Sequence, residues 1–317
     1  MSRNRPLDAL DRGLVQALRI DARAPFSRVA AVLGTSTQTL TRRYARLRAE
    51  AGLHVLGLPY PQGEACLIRL TTAGRATELA ETLAERPGTA WVQIASGGTE
   101  INALVYTTPP EFVLGDLPAS TEVTAVSAHY LLRTYLGGPN AWRASTRVLT
   151  EDQERQLRPP PVRPRYVVLG EADRRLFDVL LEDGRTPYGE LAVATGWSAA
   201  TVAKRLTDLR TRGALFFDVE VDDAPTQALL WLSVAPAQLD EVAEALAEHE
   251  ESTVVAATTG RTNLVVNLCC PDASGLHEYL SRRLAFDAIV AVETTPVLST
   301  VKALGPVRYR SAESVDK

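Results

Sequence analysis

One short stretch concentrates side chains that can bond to the edges of base pairs. Residues 34–48 read GTSTQTLTRRYARLR, with Gln38 and Arg42 four positions apart. In a DNA major groove an amide can bond adenine at two atoms, and a guanidinium can bond guanine in the same way. A helix would place both polar groups opposite one apolar stripe, formed by Leu40, Tyr44 and Leu47.

Turn and cap residues precede this predicted helix. Gly34 can adopt the positive φ of a tight turn, and Ser36 can accept a hydrogen bond from a backbone N–H of the first helical turn. A charge run on a helix is more commonly a solvated face, but the turn, cap and stripe together favour DNA contact. The candidate DNA-binding residues here are Ser36, Gln38, Thr39, Arg42, Arg43 and Arg46.

The same pattern recurs 162 positions later, in residues 196–210. Arg43 returns as Arg205, which predicts a phosphate contact in both copies. Gln38 is replaced by Ala200, which can at most touch a thymine methyl. The candidate DNA-binding residues of the second copy are Ser198, Thr201, Lys204 and Arg205.

Charge is distributed unevenly along the 317 residues. Residues 1–54 hold ten arginines against three Asp and one Glu, a net charge of +6, whereas residues 169–213 are neutral. Since the whole chain has a net charge of −4, the remainder is strongly acidic. A basic N-terminal segment, called here the first headpiece, joined to an acidic remainder is typical of a DNA-binding protein. The equivalent segment at residues 169–213 is called the second headpiece. The first headpiece is therefore predicted to bind DNA more strongly than the second.

Hydrophobic periodicity predicts an α+β chain built twice from the same two modules. Three short helices and a strand form a winged helix-turn-helix, and a β-α-β-β-α-β order follows, typical of a ferredoxin-like domain. The predicted boundaries are a winged helix-turn-helix at 1–58, a ferredoxin-like body at 59–136, a linker at 137–168, a second winged helix-turn-helix at 169–222, a second body at 223–304 and a tail at 305–317. The two bodies are expected to pack sheet to sheet.

Composition narrows the function classes. No apolar run approaches the length of a membrane helix, and no signal-peptide core is visible, so a cytoplasmic protein with no membrane partner is expected. The three cysteines cannot form a disulfide framework, and the four histidines lack metal-ligand spacing. No phosphate loop or nucleophile elbow is present, so neither a cofactor nor a metal is predicted.

The headpiece motifs, Leu-Asp-x-x-Asp at residues 7–11 and the Gly34 turn, together with the split βαβ body, resemble the Lrp/AsnC family of transcriptional regulators. The resemblance implies a non-enzymatic regulator of double-stranded DNA, and bodies that dimerise and take an amino acid or other small effector near a Gly-x-x-Asp turn. Tandem modules suggest a built-in dimer, with a further dimer of such chains expected. The implied effector residues are Gly97, Gly98 and Thr99 in one turn, and Gly260, Arg261, Thr262 and Asn263 in the other.

Neither turn has the family Asp, since Glu100 and Asn263 stand there. Because Glu100 should repel a carboxylate and Arg261 attract one, the second turn is the better predicted site for an acid.

Two other interpretations remain. Siroheme decarboxylases resemble the same tandem architecture, but they carry His-Asn-Tyr and Asn-x-Trp-Phe stretches. This chain has His129-Tyr130 and, at residues 140–143, Asn-Ala-Trp-Arg. The other interpretation is a protein-interaction module with vestigial headpieces, which the neutral second headpiece favours for one half of the chain.

Overall fold

The computed structural model describes residues 7–60, 63–106, 122–137, 148–163, 165–221 and 226–303. The chain forms two compact units that each take segments from both halves of the sequence. Residues 1–60 and 146–224 make up one, called here the headpiece unit, and residues 61–145 and 225–317 make up the body unit. The second helix expected in the first body falls on residues outside the described ranges, whereas that of the second body is described.

The described helices and strands follow one order in both halves, apart from one helix in the linker and one helix of the second body that has no described counterpart in the first. In chain order the helices are α1 (Ala9–Ile20), α2 (Phe26–Leu33), α3 (Thr37–Glu50), α4 (Ala76–Glu85), α5 (Glu151–Leu157), α6 (Glu171–Glu182), α7 (Tyr188–Thr195), α8 (Ala199–Thr211), α9 (Leu239–Glu248) and α10 (Ala273–Glu278). The strands are β1 (His54–Pro59), β2 (Ala65–Thr72), β3 (Thr89–Ala95), β4 (Glu100–Tyr106), β5 (Val123–Leu136), β6 (Leu215–Glu220), β7 (Thr226–Val234), β8 (Ser252–Thr258), β9 (Leu264–Cys270) and β10 (Ile289–Ala303).

Each headpiece is a winged helix-turn-helix whose helix ends follow from local chemistry. The side chain of Asp8 accepts from the backbone N–H of Asp11 and caps α1. Gly34 ends α2 in the left-handed region, at φ 64°, and Ser36 then caps α3. Gly196 and Ser198 repeat this turn and cap before α8.

The two headpieces pair directly through their wings. Strands β1 and β6 run antiparallel, with Leu56 opposite Asp218, its own equivalent 162 positions later. A pairing that sets a residue against its equivalent is isologous, so a pseudo-two-fold axis passes through this point. The apolar stripes of both headpieces accordingly merge into one hydrophobic core.

Reciprocal arginine contacts reinforce the pairing. Arg23 donates from Nη1 to the Gly184 carbonyl at 2.6 Å and from Nη2 to the Thr186 carbonyl at 2.9 Å. Arg185, the equivalent of Arg23, donates to the equivalent carbonyls in the first headpiece, those of Ala22 and Ala24. Two further ion pairs obey the same symmetry, Arg48 with Asp183 at 2.7 Å and Arg210 with Asp21 at 2.8 Å.

The predicted linker contains a helix that packs on the first headpiece. Thr150 caps α5 in a capping box with Gln153. Gln153 donates to the Val32 carbonyl at 2.9 Å, and Leu157 is fully buried in the headpiece core. Part of the linker is therefore a component of the headpiece unit.

In the body unit eight strands form a closed sheet in the order β10-β3-β4-β2-β5-β8-β9-β7. Each half contributes four neighbouring strands in the arrangement of a ferredoxin-like domain, so the predicted fold class is confirmed. The halves join reciprocally, because the last strand of each pairs with the second strand of the other, as β5 with β8 and β10 with β3.

One face of each sheet is covered by helices, and the other faces the opposite half. Leu67 of the first half lies in one buried cluster with Leu229, Trp231, Ala256 and Val265 of the second. This cluster is the sheet-to-sheet contact that the alternating pattern predicts, and the edge-to-edge pairing adds to it. Among the described residues, no helix is long and apolar enough to cross a membrane.

Gly184 tests the headpiece pairing, because a Cβ there would lie 3.0 Å from the Gly57 backbone N and the Leu56 carbonyl carbon. Backbone cannot move aside as a flexible side chain can, so Gly184→Ala should lower the free energy of unfolding by about 1–3 kcal/mol. Chemical denaturation followed by circular dichroism measures it.

Gly189→Ala is the matched control, since nothing lies within 4 Å of its would-be Cβ and the site is helical. It should leave stability unchanged or slightly raised. A Gly184→Ala protein as stable as this control would contradict the packing described.

Candidate nucleic-acid interface and effector site

The outward face of α3 carries the polar groups best placed for DNA. Gln38 and Arg42 are exposed, and neither side chain has a hydrogen-bond or ion-pair partner among the described residues. Thr37, Thr41 and Ala45 are exposed beside them. The opposite face is buried through Leu40, Tyr44 and Leu47, as the apolar stripe predicts.

Two arginines of α3 instead face the first helix. Arg43 Nη1 lies 2.6 Å from Asp8 Oδ2 and 2.8 Å from Asp11 Oδ1, and Arg46 Nη2 lies 2.6 Å from Asp11 Oδ1. Asp11 is only 2% exposed, so these bonds compensate a buried carboxylate. The hydrogen bond from Arg43 lowers the pKa of Asp8 to about 2. Arg43 therefore holds α3 against α1, and this contact of an arginine with a buried aspartate of the first helix is called here the arginine clamp.

The second headpiece repeats the clamp. Arg205 donates from Nε to Asp173 Oδ1 at 2.7 Å and from Nη2 to Asp173 Oδ2 at 2.8 Å. Although burial alone raises the pKa of Asp173, the hydrogen bonds from Arg205 and from the Gly170 backbone N–H lower it overall. The recurrence of the arginine, which predicted a phosphate contact, thus has an explanation inside the headpiece. The signal was available, since Asp11 and Asp173 are also 162 positions apart.

Hydroxyl groups among the candidate DNA-binding residues serve the helix caps. Ser36 Oγ accepts from the Thr39 backbone N–H at 3.0 Å and lies 2.8 Å from Thr39 Oγ1. Ser198 and Thr201 form the same pair at 3.1 Å and 2.9 Å. Of the second set, Lys204 alone is exposed with no partner in the described part of the chain.

Both candidate effector turns lie where the two bodies join. The first turn continues from β3, whose Ala95 pairs with Val297 of β10. Gly97 and Gly98 have φ values of 72° and 89°, and Thr99 Oγ1 donates to the Ser96 carbonyl at 2.8 Å. These glycines are needed by the turn itself.

The second turn is bonded to β5. The Thr259 backbone N–H donates to the Tyr130 carbonyl at 3.1 Å, and the Tyr130 N–H donates to Thr259 Oγ1 at 3.0 Å. Gly260, at φ 117°, lies so close to His129 that an added Cβ would be 2.6 Å from its Nδ1. Glycine is therefore required at this junction.

The residues of the second turn differ in whether they have hydrogen-bond partners. Asn263 is engaged by β7, since its Oδ1 accepts from the Val234 N–H and its Nδ2 donates to the Val234 carbonyl, both at 2.8 Å. The Thr262 carbonyl accepts from Thr258 Oγ1 at 3.1 Å. Arg261 is exposed, and its guanidinium has no partner within the described ranges.

Glu100 is not the free acid that the sequence suggests. It is 6% exposed, and its carboxylate lies 2.8 Å from Arg69 Nη2. Arg69 also pairs with Glu293 of the other body and lies over the Trp231 ring, with 5.2 Å from its guanidinium carbon to the ring centroid. The hydrogen bond from Arg69 lowers the pKa of Glu293. Sequence reasoning missed Arg69, because its partner in the other body is 224 residues away.

Cysteine, histidine and acidic side chains do not gather into a metal site within the described ranges. No group of three or more His, Cys, Asp or Glu side chains there could hold a metal ion. Cys66, Cys269 and Cys270 are buried free thiols, and burial raises the pKa of Cys270 to about 11.

Family models match both kinds of module. The AsnC-type helix-turn-helix domain matches residues 7–48 and 169–210, and the Lrp/AsnC ligand binding domain matches residues 227–307. An uncharacterized HTH-type transcriptional regulator of Pyrococcus furiosus is 30% identical over 147 residues, which are 44% of this chain and 99% of that protein. The chain belongs to the Lrp/AsnC family of transcriptional regulators. The HTH-type transcriptional regulator FL11 of Pyrococcus horikoshii, another relative, is 28% identical over 43% of this chain and 93% of its own length.

A solved structure shares the tandem fold over almost the whole chain. The siroheme decarboxylase NirDL, in complex with an iron-uroporphyrin III analogue, has a TM-score of 0.58 and covers 96% of this Lrp/AsnC chain and 95% of its own. The two sequences are 17% identical, so the likeness concerns the fold alone.

The arginine clamps generate a stability prediction. Arg205→Ala leaves the buried Asp173 without its guanidinium, and should destabilise the protein by about 3 kcal/mol. Arg43→Ala should cost about 1–2 kcal/mol, because Arg46 still faces Asp11. Urea unfolding of the full chain, followed by circular dichroism, measures both. If the two variants lost the same free energy of unfolding, or if neither lost any, the contact with a buried aspartate would not explain why the arginine is repeated.

Proposed function

We propose that this chain is a cytoplasmic transcriptional regulator that binds double-stranded DNA in the major groove through α3. The observation that carries the proposal is the outward face of this helix, where Gln38 and Arg42 are exposed and unpaired in the described structure. An unpaired guanidinium and amide lose no internal contact when they turn to a base edge. The clamp arginines and the capping hydroxyls support this face by holding the helix.

The second headpiece contributes less to affinity in this proposal. Lys204 is its one exposed cation at a base-reading position, and Ala199 and Ala200 replace Thr37 and Gln38. Asp208 stands where the first headpiece has Arg46. Cationic contacts dominate the affinity of proteins for DNA, so the first headpiece supplies the larger share.

Arg42 and Lys204 are equivalent positions and give a matched test. Arg42→Ala should weaken binding to the operator by roughly ten-fold or more, since a bidentate base contact is worth about 1–3 kcal/mol. Lys204→Ala should cost clearly less and change the salt dependence by about one phosphate contact. Gel shifts at several salt concentrations, using DNA that flanks the gene of this protein, measure both.

Equal losses from the two substitutions would refute the unequal headpieces. Arg46 and Arg210 are unsuitable for this test, because each pairs with a carboxylate that is less than a tenth exposed.

The body unit is proposed to bind a small effector with a carboxylate, such as an amino acid, near Arg261. A guanidinium offers a carboxylate two parallel hydrogen bonds, and the exposed guanidinium of Arg261 has no partner in the described part of the body. A ligand that binds one conformation better than another shifts the population toward it, which is how an effector would change DNA affinity.

Calorimetric titration of candidate amino acids tests this site. Arg261→Ala should lower the affinity at least ten-fold, because one charge-assisted pair is lost. Arg282→Ala is the control, since Arg282 is an exposed arginine of the same unit that pairs with Glu278. Unchanged binding in the Arg261 variant, or the same loss in both variants, would contradict the assignment.

Two further parts of the proposal concern assembly and catalysis. Exposed apolar side chains on the last strand of each body, Leu132 and Leu298, support a dimer of tandem chains.

Catalysis is not part of the proposed function. His129, of the His-Tyr pair, has both ring nitrogens engaged, Nδ1 with the Thr259 carbonyl at 2.8 Å and Nε2 with Ser127 Oγ at 3.1 Å. Residues 140–143, the other stretch compared with siroheme decarboxylases, lie outside the described residues.

A further inference from the structure

The helices α3 and α8 contain two classes of residue. The helices are related by the 162-residue repeat, and each position in one has a single counterpart in the other. Residues of the first class are buried or hydrogen-bonded to the rest of the protein, and residues of the second class face outward. The two classes differ in how far the copies agree.

Every identical position has a role inside the protein. Ser36 and Thr39 form the helix cap, as do Ser198 and Thr201. Arg43 and Arg205 clamp a buried aspartate of the first helix. The remaining identical pairs are Leu47 with Leu209, both buried, and Arg48 with Arg210, which form the reciprocal ion pairs between headpieces.

The exposed residues of α3 that take part in neither a helix cap nor an ion pair all differ from their counterparts. Gln38 faces outward in the first copy where Ala200 does in the second, and Arg42 corresponds to Lys204. The other pairs are Thr37 with Ala199, Thr41 with the half-buried Ala203, and Ala45 with Thr207. The two helices therefore keep one scaffold and present two different chemical surfaces.

The pairing of the headpieces keeps these two surfaces together. Strands β1 and β6, with the arginines Arg23 and Arg185, join one copy of each headpiece within the same chain. A homodimer offers two identical reading helices, and its operator mirrors that symmetry as a palindrome. This chain has the pseudo-symmetric scaffold without the symmetric reading faces.

We propose that one chain reads a non-palindromic operator made of two unlike half-sites, and so binds DNA in one orientation. The inference rests on the proposed function and adds the class of DNA that is recognised. The half-site under α3 is defined by hydrogen bonds, with adenine suited to Gln38 and guanine to Arg42. The half-site under α8 is defined weakly, because Ala200 offers only apolar contact to a thymine methyl.

Selection from random duplexes, using the full chain, tests the operator directly. A random region of about 25 base pairs accommodates two half-sites one helical turn apart. The wild-type consensus should contain one strongly specified half-site and one weakly specified half-site of different sequence. A palindromic wild-type consensus would overturn the inference while leaving DNA binding intact.

A converted variant sharpens the test. Substituting the five outward residues of α8 by those of α3, Ala199→Thr, Ala200→Gln, Ala203→Thr, Lys204→Arg and Thr207→Ala, should select a palindrome of the stronger half-site. A variant consensus that stays as unequal as that of the wild type would overturn the assignment of these positions. No enrichment by either protein would overturn the proposed function itself.

Competition with symmetrised DNA needs only the wild-type chain, so it does not depend on whether the variant folds. Duplexes carrying the selected site, two copies of its stronger half or two copies of its weaker half are compared. The selected site should bind at least ten-fold tighter than the duplex with two weaker halves. Equal affinity for all three duplexes would contradict two unlike reading faces.

Discussion

The headpiece unit depends on two guanidinium groups that bond to backbone carbonyls across a pseudo-two-fold axis. Arg23 and Arg185 each donate to two carbonyl oxygens of the opposite headpiece. Burial lowers the pKa of both arginines, yet a guanidinium stays charged in proteins. The carbonyls therefore compensate two partly buried charges. Each arginine also lies over an aromatic ring of the opposite headpiece, Arg23 over Tyr188 and Arg185 over Phe26.

The pairing of the headpieces determines the spacing of the two reading helices, α3 and α8. The interface between the two bodies is not required to set the distance between these helices. In the structure the headpieces share a core and a strand pair of their own, so their relative position is fixed within the headpiece unit. An effector would then act by favouring one conformation over another and would not need to hold the two headpieces in place.

The fold was largely predictable from the sequence because its signals are local. The capping residues Ser36 and Ser198, the left-handed Gly34 and the apolar stripe of α3 each determine a helix end or face over a few residues. Because the modules repeat, each of these predictions applied to both halves of the chain. The closed sheet was not predictable in this way, since the pairing of β5 with β8 joins residues far apart in the chain, and alternation alone does not choose the edges that pair.

The site was predicted less well for the same reason. Residue type alone cannot tell a guanidinium that faces DNA from one that faces a buried carboxylate. Arg42 and Arg43 are neighbours, and only the position of Asp11 on another helix separates their surroundings. Likewise Glu100 appeared as a repelling charge until Arg69 was found beside it.

Joining the two headpieces in one polypeptide also removes a concentration threshold. A homodimer separates on dilution, so its DNA occupancy falls with the square of the protein concentration once subunits dissociate. Here the second headpiece is always present at the effective concentration set by its own chain and by the wing pairing. Occupancy of the operator by a single chain should therefore rise in simple proportion to the amount of protein, even when a cell contains very few copies.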